Sequence, residues 1–170
     1  RDERQEPAAV LLGASHLLAT ARRPEALARL QRLAANPDKR IARLALEIKT
    51  AQSTNRDLKI VFGHGSGSFG HVPAKRYDTR QGVDSDQGWR GFAEVWYEAA
   101  ALNRIVMDAL QDVGLPVIAF PPSAAVTARD GQVLDWNLVP LVSALEAGLQ
   151  PVVFGDVVFD QKRGGTILST

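Results

Sequence analysis

Three short apolar runs, each bounded by polar or turn-forming residues, predict buried strands at residues 58–62, 115–120 and 151–154. Two longer segments, residues 89–113 and 137–147, repeat apolar residues every three or four positions. This spacing predicts helices that pack an apolar stripe on a sheet. A glycine follows each of these segments and is expected to end the helix there. Strands and helices are therefore expected to alternate along the chain.

The stripe of the longer predicted helix is made of apolar side chains that we expect in the core: Phe92, Trp96, Ala99, Leu102, Val106, Ala109 and Val113. Two pairs of short apolar runs predict hairpins, namely 125–128 with 132–134 and 157–159 with 166–168. Asp130 and Gly131 form an Asp-Gly turn signal in the first hairpin. The order of elements predicts an α/β fold, an open α/β/α sandwich with a mainly parallel sheet.

Residues 1–52 are rich in alanine, leucine and arginine and predict two or three amphipathic helices. We therefore divide the chain into a helical N-terminal segment, residues 1–52, and an α/β portion, residues 53–170. The chain begins with Arg1 rather than methionine, which suggests a trimmed protein or a fragment.

Composition excludes several classes of protein. With 45% hydrophobic and 23% charged residues the chain has the balance of a globular protein, and its net charge of +1 does not favour nucleic acid or an acidic membrane surface as a partner. The absence of cysteine excludes disulfides and thiol catalysis. No apolar run has the length of a membrane span, and no signal-type apolar core follows the charged N-terminus, so we predict a cytoplasmic protein.

Residues 63–71, Gly-His-Gly-Ser-Gly-Ser-Phe-Gly-His, follow the first predicted strand and contain four glycines. Glycine lets the backbone approach a ligand closely, and such a loop can direct several N–H groups at one anion. A helix expected from residue 72 would add the positive end of its dipole. We interpret the loop as a phosphate site, with a tight turn that binds no ligand as the alternative.

Two further polar features follow predicted strands. Ser123 comes after the strand at 115–120, and Asp156 comes after the strand at 151–154. Because the carboxyl ends of parallel strands meet at one edge of a sheet, where ligands of such sheets bind, we expect both residues near the glycine loop. Asp156 is expected either to contribute to the site or to act as an ordinary turn residue.

Three other kinds of site are less consistent with the sequence. Residues 65–70 match the dinucleotide-binding pattern G-x-G-x-x-G. That pattern also requires a second strand that ends in an acidic residue, but the corresponding region of this chain is polar. The phosphate-loop pattern needs a lysine directly after Gly70, and none is present. His64 and His71 have no cysteine or third nearby histidine to complete a metal site, so we predict none.

The loop and the Val72-Pro73-Ala74-Lys75-Arg76-Tyr77 run after it resemble the substrate loop of isopentenyl phosphate kinases, in the amino acid kinase superfamily. Further similarity lies at residues 122–124, 149–152 and 155–160, and the resemblance covers about residues 38–170. It implies a usually dimeric enzyme that transfers the γ-phosphate of Mg-ATP to isopentenyl phosphate.

The resemblance also implies roles for single residues. His71, as the catalytic residue, and the backbone of Ser66 would hold the substrate phosphate, while Gly67 would lie against the γ-phosphate of ATP. The candidates for substrate binding are Gly65, Ser66, Gly70, His71, Ser123 and Asp156. The candidates for nucleotide binding are Gly67 and Ser68. His64 is interpreted as a structural residue that bonds the loop backbone.

Two departures from the family pattern bear on activity. The family opens with a Lys-Leu-Gly-Gly-Ser loop, and the most similar stretch here, residues 11–15, has Leu11 in the lysine position, unless this region is an unrelated helix. The nucleotide-binding half would begin just after Thr170. Because phosphoryl transfer depends on positioning and charge neutralisation, we expect this chain to be a poor catalyst. The alternatives are a non-catalytic, kinase-derived binding module and a fosfomycin-type or other small-molecule kinase.

Overall fold

The computed structural model describes residues 39–55 and 57–168. The helices expected within residues 1–38, and the Leu11 segment with them, lie outside the described residues. In chain order the elements are α1 (Lys39–Thr54), β1 (Phe62–His64), α2 (Gly67–Arg76), α3 (Asp86–Asp112), β2 (Val117–Ala119), α4 (Pro122–Ala125), β3 (Val126–Arg129), β4 (Gln132–Trp136), α5 (Val139–Glu146), β5 (Gln150–Phe154), β6 (Val157–Asp160) and β7 (Gly164–Ile167).

A three-stranded parallel sheet in the order β1-β5-β2 forms one layer, so the predicted α/β class with parallel strands is confirmed. Phe62 pairs with Val152, and the pairing continues to His64 opposite Phe154. The predicted bounds of the first strand are wrong, because β1 begins at Phe62 and includes two residues that we expected in the loop. Val61 is 46% exposed, so the apolar run before β1 does not continue the buried strand.

A second, mixed sheet has the order β4-β3-β6-β7. The pairs β3–β4 and β6–β7 are antiparallel, which confirms both predicted hairpins, while β3 and β6 run parallel. Asp130 and Gly131 have φ values of 55° and 77°, as a two-residue hairpin turn requires. Since β6 follows β5 after only two residues, the carboxyl edge of the first sheet lies next to the start of the second.

Helix α3 joins the two sheets. Its first turn is capped by Ser85, whose hydroxyl accepts a hydrogen bond from the Gly88 N–H at 3.1 Å. Its N-terminal half packs Val95 against the second sheet, and its C-terminal half packs Leu110 against β5. The prediction that Trp96 lies in the core is wrong, because 44% of this side chain is exposed and its neighbours on the helix cover the sheet instead.

Helix α1 packs against the outer side of this arrangement. Ala45 is fully buried against Leu110, Leu115 and Val152. The division predicted between residues 52 and 53 falls inside α1, and the rest of the predicted N-terminal segment lies outside the described residues. In the described part of the chain, no helix combines the length and the apolar character that crossing a membrane requires.

Candidate functional site

The connection between β1 and α2 is a turn of only two residues, Gly65 and Ser66. We expected a nine-residue loop and a helix from residue 72, but α2 begins at Gly67 and includes Gly70 and His71. The prediction of the loop length is therefore wrong. A helix of ten residues with its N-terminus at the carboxyl edge of a parallel sheet presents free N–H groups and positive dipole potential there.

Two glycines allow this turn to pack closely. A Cβ on Gly155 would lie 2.6 Å from the Ser66 backbone nitrogen, and a Cβ on Gly70 would lie 2.4 Å from the Ser66 hydroxyl. Neither contact is possible for a real side chain without movement of the turn. The Gly155 N–H also donates to the His64 carbonyl at 2.8 Å. The residue after β5 and the first turn of α2 therefore hold Ser66 between them.

Ser66 is 4% exposed. Its carbonyl accepts a hydrogen bond from the Gly70 N–H at 3.3 Å, but within the described part of the chain its own N–H has no hydrogen-bond partner. The first N–H groups of a helix have no partner within the helix, so a buried one among them needs an explanation in some other acceptor. At the start of a helix, an anionic ligand is one such explanation.

His64 lies at the end of β1, below this turn. Its Nδ1 is 2.9 Å from the Gly65 carbonyl oxygen, and its Nε2 is 3.0 Å from Oδ1 of Asn103 on α3. The ring stacks on Phe154, with centroids 5.9 Å apart and an angle of 16° between the planes. The hydrogen bond that we expected between His64 and the loop backbone is present, with the Gly65 carbonyl as its partner. Asn103 was missed, although a polar residue beside the apolar stripe of α3 was a usable signal.

His71 is exposed on α2, four residues after Gly67 and so on the next turn of the helix. It lines an open groove of about 320 Å³ together with Ala74, Lys75, Asp78, Arg80, Gln81 and Ile167. Among the described residues, neither Lys75 nor Arg80 forms an ion pair. The groove therefore presents two unpaired cations beside His71, with one carboxylate, Asp78, near them.

Asp156 occupies the turn between β5 and β6 and is buried. Its Oδ2 accepts a hydrogen bond from the Ser123 N–H at 3.1 Å, and its Oδ1 accepts one from the Val157 N–H at 2.8 Å. Burial raises the pKa of the Asp156 carboxyl, while the hydrogen bonds from Ser123 and Val157 act in the opposite direction. The carboxylate joins the start of α4 to the turn after β5, so it fixes the edge of the sheet beside the turn from β1 into α2.

The structure thus brings Ser66, Gly70, Ser123 and Asp156 to the carboxyl edge of the parallel sheet. Gly67, Ser68 and His71 lie on the first two turns of α2. The roles assigned to these residues remain predictions. In the part of the chain that the structure describes, no group of three or more acidic, histidine or cysteine side chains could hold a metal ion.

Comparison with known proteins gives the family context. The sequence model of the amino acid kinase family matches residues 22–170. The isopentenyl phosphate kinase of Methanocaldococcus jannaschii is 32% identical over 137 residues, which cover 76% of this chain and 51% of that protein. The isopentenyl phosphate kinase of Methanothermobacter thermautotrophicus is 37% identical over 127 residues, which cover 72% of this chain and 46% of that protein.

A solved isopentenyl phosphate kinase structure superposes with a TM-score of 0.68 at 32% sequence identity, covering 76% of this chain and 53% of the other. The resemblance inferred from the motifs and the expected fold are both confirmed. The chain spans about half the length of the curated relatives it matches.

Proposed function

Because the chain belongs to the amino acid kinase family, we propose that it carries the phosphate-substrate-binding portion of an enzyme that phosphorylates isopentenyl phosphate to isopentenyl diphosphate. The observation that carries the proposal is the Ser66 N–H at the N-terminus of α2, which has no partner among the described residues, with His71 on the next turn. The names of the relatives, all isopentenyl phosphate kinases, supply the substrate.

In the proposed reaction, a phosphate oxygen of the substrate forms a bond to the γ-phosphorus of ATP, and the bond between that phosphorus and the β–γ bridging oxygen breaks. The backbone of Gly65 and Ser66 would bind the substrate phosphate, and His71 would donate a hydrogen bond to it. Gly67 and Ser68, at the first turn of α2, would lie against the transferring group. Charge on the phosphates would be stabilised by the helix dipole.

Ser123 and Asp156 have a supporting part in this arrangement. Their hydrogen bond fixes the edge of the sheet, and Gly155 lies directly before Asp156 against the turn. Mg²⁺, which the resemblance implies, would neutralise phosphate charge. We assign it no ligand, since the described residues contain no suitable cluster. The homodimer and the cytoplasmic location that we predicted also stay predictions.

The proposal is tested by calorimetric titration of the 170-residue chain with isopentenyl phosphate, fosfomycin and ATP in turn. We expect isopentenyl phosphate to bind and His71→Ala to weaken that binding. Arg90→Ala is the matched control, because Arg90 is an exposed cation on α3 that does not line the groove. Tighter binding of fosfomycin would favour the fosfomycin-type alternative. Absence of binding by all three ligands would favour the non-catalytic module.

A further inference from the structure

We propose that His64 and Asn103 are positioning residues that orient the Ser66 N–H towards the phosphate, a role that rests on the function proposed above. The peptide unit between Gly65 and Ser66 is planar and trans, so its carbonyl and its N–H point in opposite directions. Any group that fixes the Gly65 carbonyl therefore fixes the Ser66 N–H. His64 is such a group, with Nδ1 2.9 Å from that carbonyl oxygen.

The chemistry of the contact assigns the proton. A carbonyl oxygen can only accept a hydrogen bond, so the Nδ1 of His64 carries a proton and donates it to Gly65. With that proton on Nδ1, Nε2 is an acceptor, and the side-chain amide of Asn103 matches it when its NH2 group, in place of Oδ1, lies at the 3.0 Å contact. Asn103 is 7% exposed and lies on the longest helix of the described chain, so it is a rigid support. The ring cannot turn without losing both contacts.

Two other contacts restrict the ring and the turn. The parallel stacking of His64 on Phe154 sets the plane of the imidazole, and the bond from the Gly155 N–H to the His64 carbonyl sets the backbone. Gly155 has no side chain to cover the Ser66 nitrogen, which a Cβ would approach to 2.6 Å. His64 thus orients the donor, while Gly155 places no Cβ against its nitrogen.

Three substitutions at His64 separate the contacts from each other. His64→Asn places an amide N–H near the position of Nδ1 and retains the donor to Gly65. His64→Gln reaches towards the position of Nε2 and retains only the contact with Asn103. His64→Phe retains the stacking on Phe154 and neither hydrogen bond. If positioning through Nδ1 matters, the Asn variant keeps most of the affinity and the other two variants lose it.

The first measurement is calorimetric binding of inorganic phosphate and of isopentenyl phosphate. We expect about a tenfold or larger loss of affinity in His64→Phe and His64→Gln, and less than about a threefold loss in His64→Asn. The control is Val95→Ala, a cavity variant in the core beside the second sheet, which should lower Tm and leave affinity unchanged. Equal affinities for all three His64 variants, or unchanged affinity in His64→Phe, would overturn the proposal.

Asn103 is tested in a double-mutant cycle. Asn103→Leu removes the support at Nε2 and should weaken binding no more than His64→Asn does, since both variants lack that contact. Adding it to His64→Phe should cause no further loss, because the two residues act through one contact. Losses that add in full in the double variant would show that Asn103 acts independently of His64 and would overturn the pairing.

A measurement on the ligand-free protein distinguishes failure of this proposal from failure of the proposed function. The Gly70 amide donates to the Ser66 carbonyl across the turn, so its hydrogen exchange reports the turn geometry. We expect exchange at Gly70 to rise about tenfold in His64→Phe but not in His64→Asn, with the distant Gln161 amide unchanged. If wild type binds no phosphate yet shows this pattern, the proposed function fails and the positioning of the turn stands. Unchanged exchange at Gly70 would overturn the positioning itself.

Discussion

At the scale of single residues, the two histidines that bracket the glycine-rich stretch differ in their surroundings. His64 is held by the Gly65 carbonyl, Asn103 and Phe154. His71 is exposed on α2 and faces an open groove with Lys75 and Arg80. An exposed side chain can be replaced at little cost to the fold, whereas a bridging one cannot. Substitution should therefore separate a binding role from a positioning role.

The first prediction concerns His71. His71→Ala should weaken binding of isopentenyl phosphate about ten- to hundredfold, because a charge-assisted hydrogen bond to phosphate is worth roughly 1.5–3 kcal/mol. His71→Gln should retain part of the affinity, since an amide can donate without charge. Tm should stay unchanged in both variants. Calorimetry and melting curves measure these effects, and wild-type affinity in His71→Ala would show that His71 does not contact the phosphate.

Asp160 provides a prediction about pH. Its carboxylate accepts hydrogen bonds from the N–H groups of Asp130, Gly131, Lys162 and Arg163 at 2.7–3.0 Å. Burial raises the pKa of this carboxyl, but the four donors together outweigh burial and hold the pKa at about 2. Because the folded-state pKa is lower than that of an unfolded aspartate, ~3.9, the ionised form stabilises the fold.

This stabilisation should be complete above pH ~3.9 and should be lost as the pH falls through about 2. Asp160→Asn should lower the free energy of unfolding at neutral pH by about 1–3 kcal/mol, because its amide group would face N–H donors. It should also remove the part of the acid-pH dependence that Asp160 contributes, while the part due to other carboxyl groups such as Asp130 remains. Asp135→Asn is the control, as Asp135 is exposed on β4. Identical pH profiles for wild type and Asp160→Asn would contradict the assignment.

At the scale of elements, the site depends on the contact between the end of β5 and the turn from β1 into α2. The turn is short enough to aim the helix N-terminus at the sheet edge because Gly155 and Gly70 leave room for Ser66. The interaction is between parts of the chain about ninety residues apart, as the residue numbers show. It is therefore a tertiary constraint that the glycine-rich stretch alone does not specify.

Gly155→Ala tests this contact. The added methyl would lie 2.6 Å from the Ser66 nitrogen, so the turn must shift, and we expect a loss of about 1–3 kcal/mol in the free energy of unfolding together with weaker phosphate binding. Gly63→Ala is the stability control, because its Cβ would have no atom within 4 Å. Urea unfolding measures the first effect. Equal stability of the two variants would contradict the close contact between β5 and the turn.

The sequence could predict the parts of the fold that neighbouring residues determine. It could not predict the parts that depend on distant contacts, such as the one between Gly155 and Ser66. Periodicity placed α3, and the Asp-Gly signal placed the first hairpin, since both depend on neighbours in sequence. The first strand was placed too early, because pairing with β5 rather than local apolar character sets the start of β1 at Phe62. Trp96 was assigned to the core because spacing alone does not show which edge of a stripe the sheet covers. Asn103 stood out only as a polar residue beside the apolar stripe of α3, and Gly155 only as part of the family-like residues 155–160. Their contacts with His64 and Ser66 are tertiary, so no local pattern indicated those contacts.

At the scale of the whole molecule, the described chain has apolar side chains on its surface. Strand β4 is an edge strand of the second sheet within the described residues, and Val133 and Leu134 on it are 53% and 51% exposed. Val139 and Val142 on α5 are exposed as well. Unpaired strand edges and exposed apolar side chains promote association of proteins. The chain also spans only about half the length of its curated relatives.

We therefore expect the 170-residue chain to self-associate as its concentration rises. Leu134→Lys should reduce this association, because a lysine on an edge strand opposes pairing with another chain. Lys59→Ala, a change outside both sheets, is the control. Sedimentation velocity over a range of concentrations measures the effect. A single monomeric species at every concentration would show that the exposed strand does not drive association.

The central claim, that the N-terminus of α2 binds a phosphate monoester, is tested most directly by mapping backbone amide shifts of the labelled chain during titration with isopentenyl phosphate. We predict that the largest shifts fall on Ser66, Gly67 and Ser68, and that the His71 amide shifts with the same apparent Kd. A second pocket, of about 660 Å³, shares Gln81 with the His71 groove and includes Lys162 and Arg163, which both pair with Asp130. Shifts confined to that pocket, or no saturable shift at Ser66, would contradict the account.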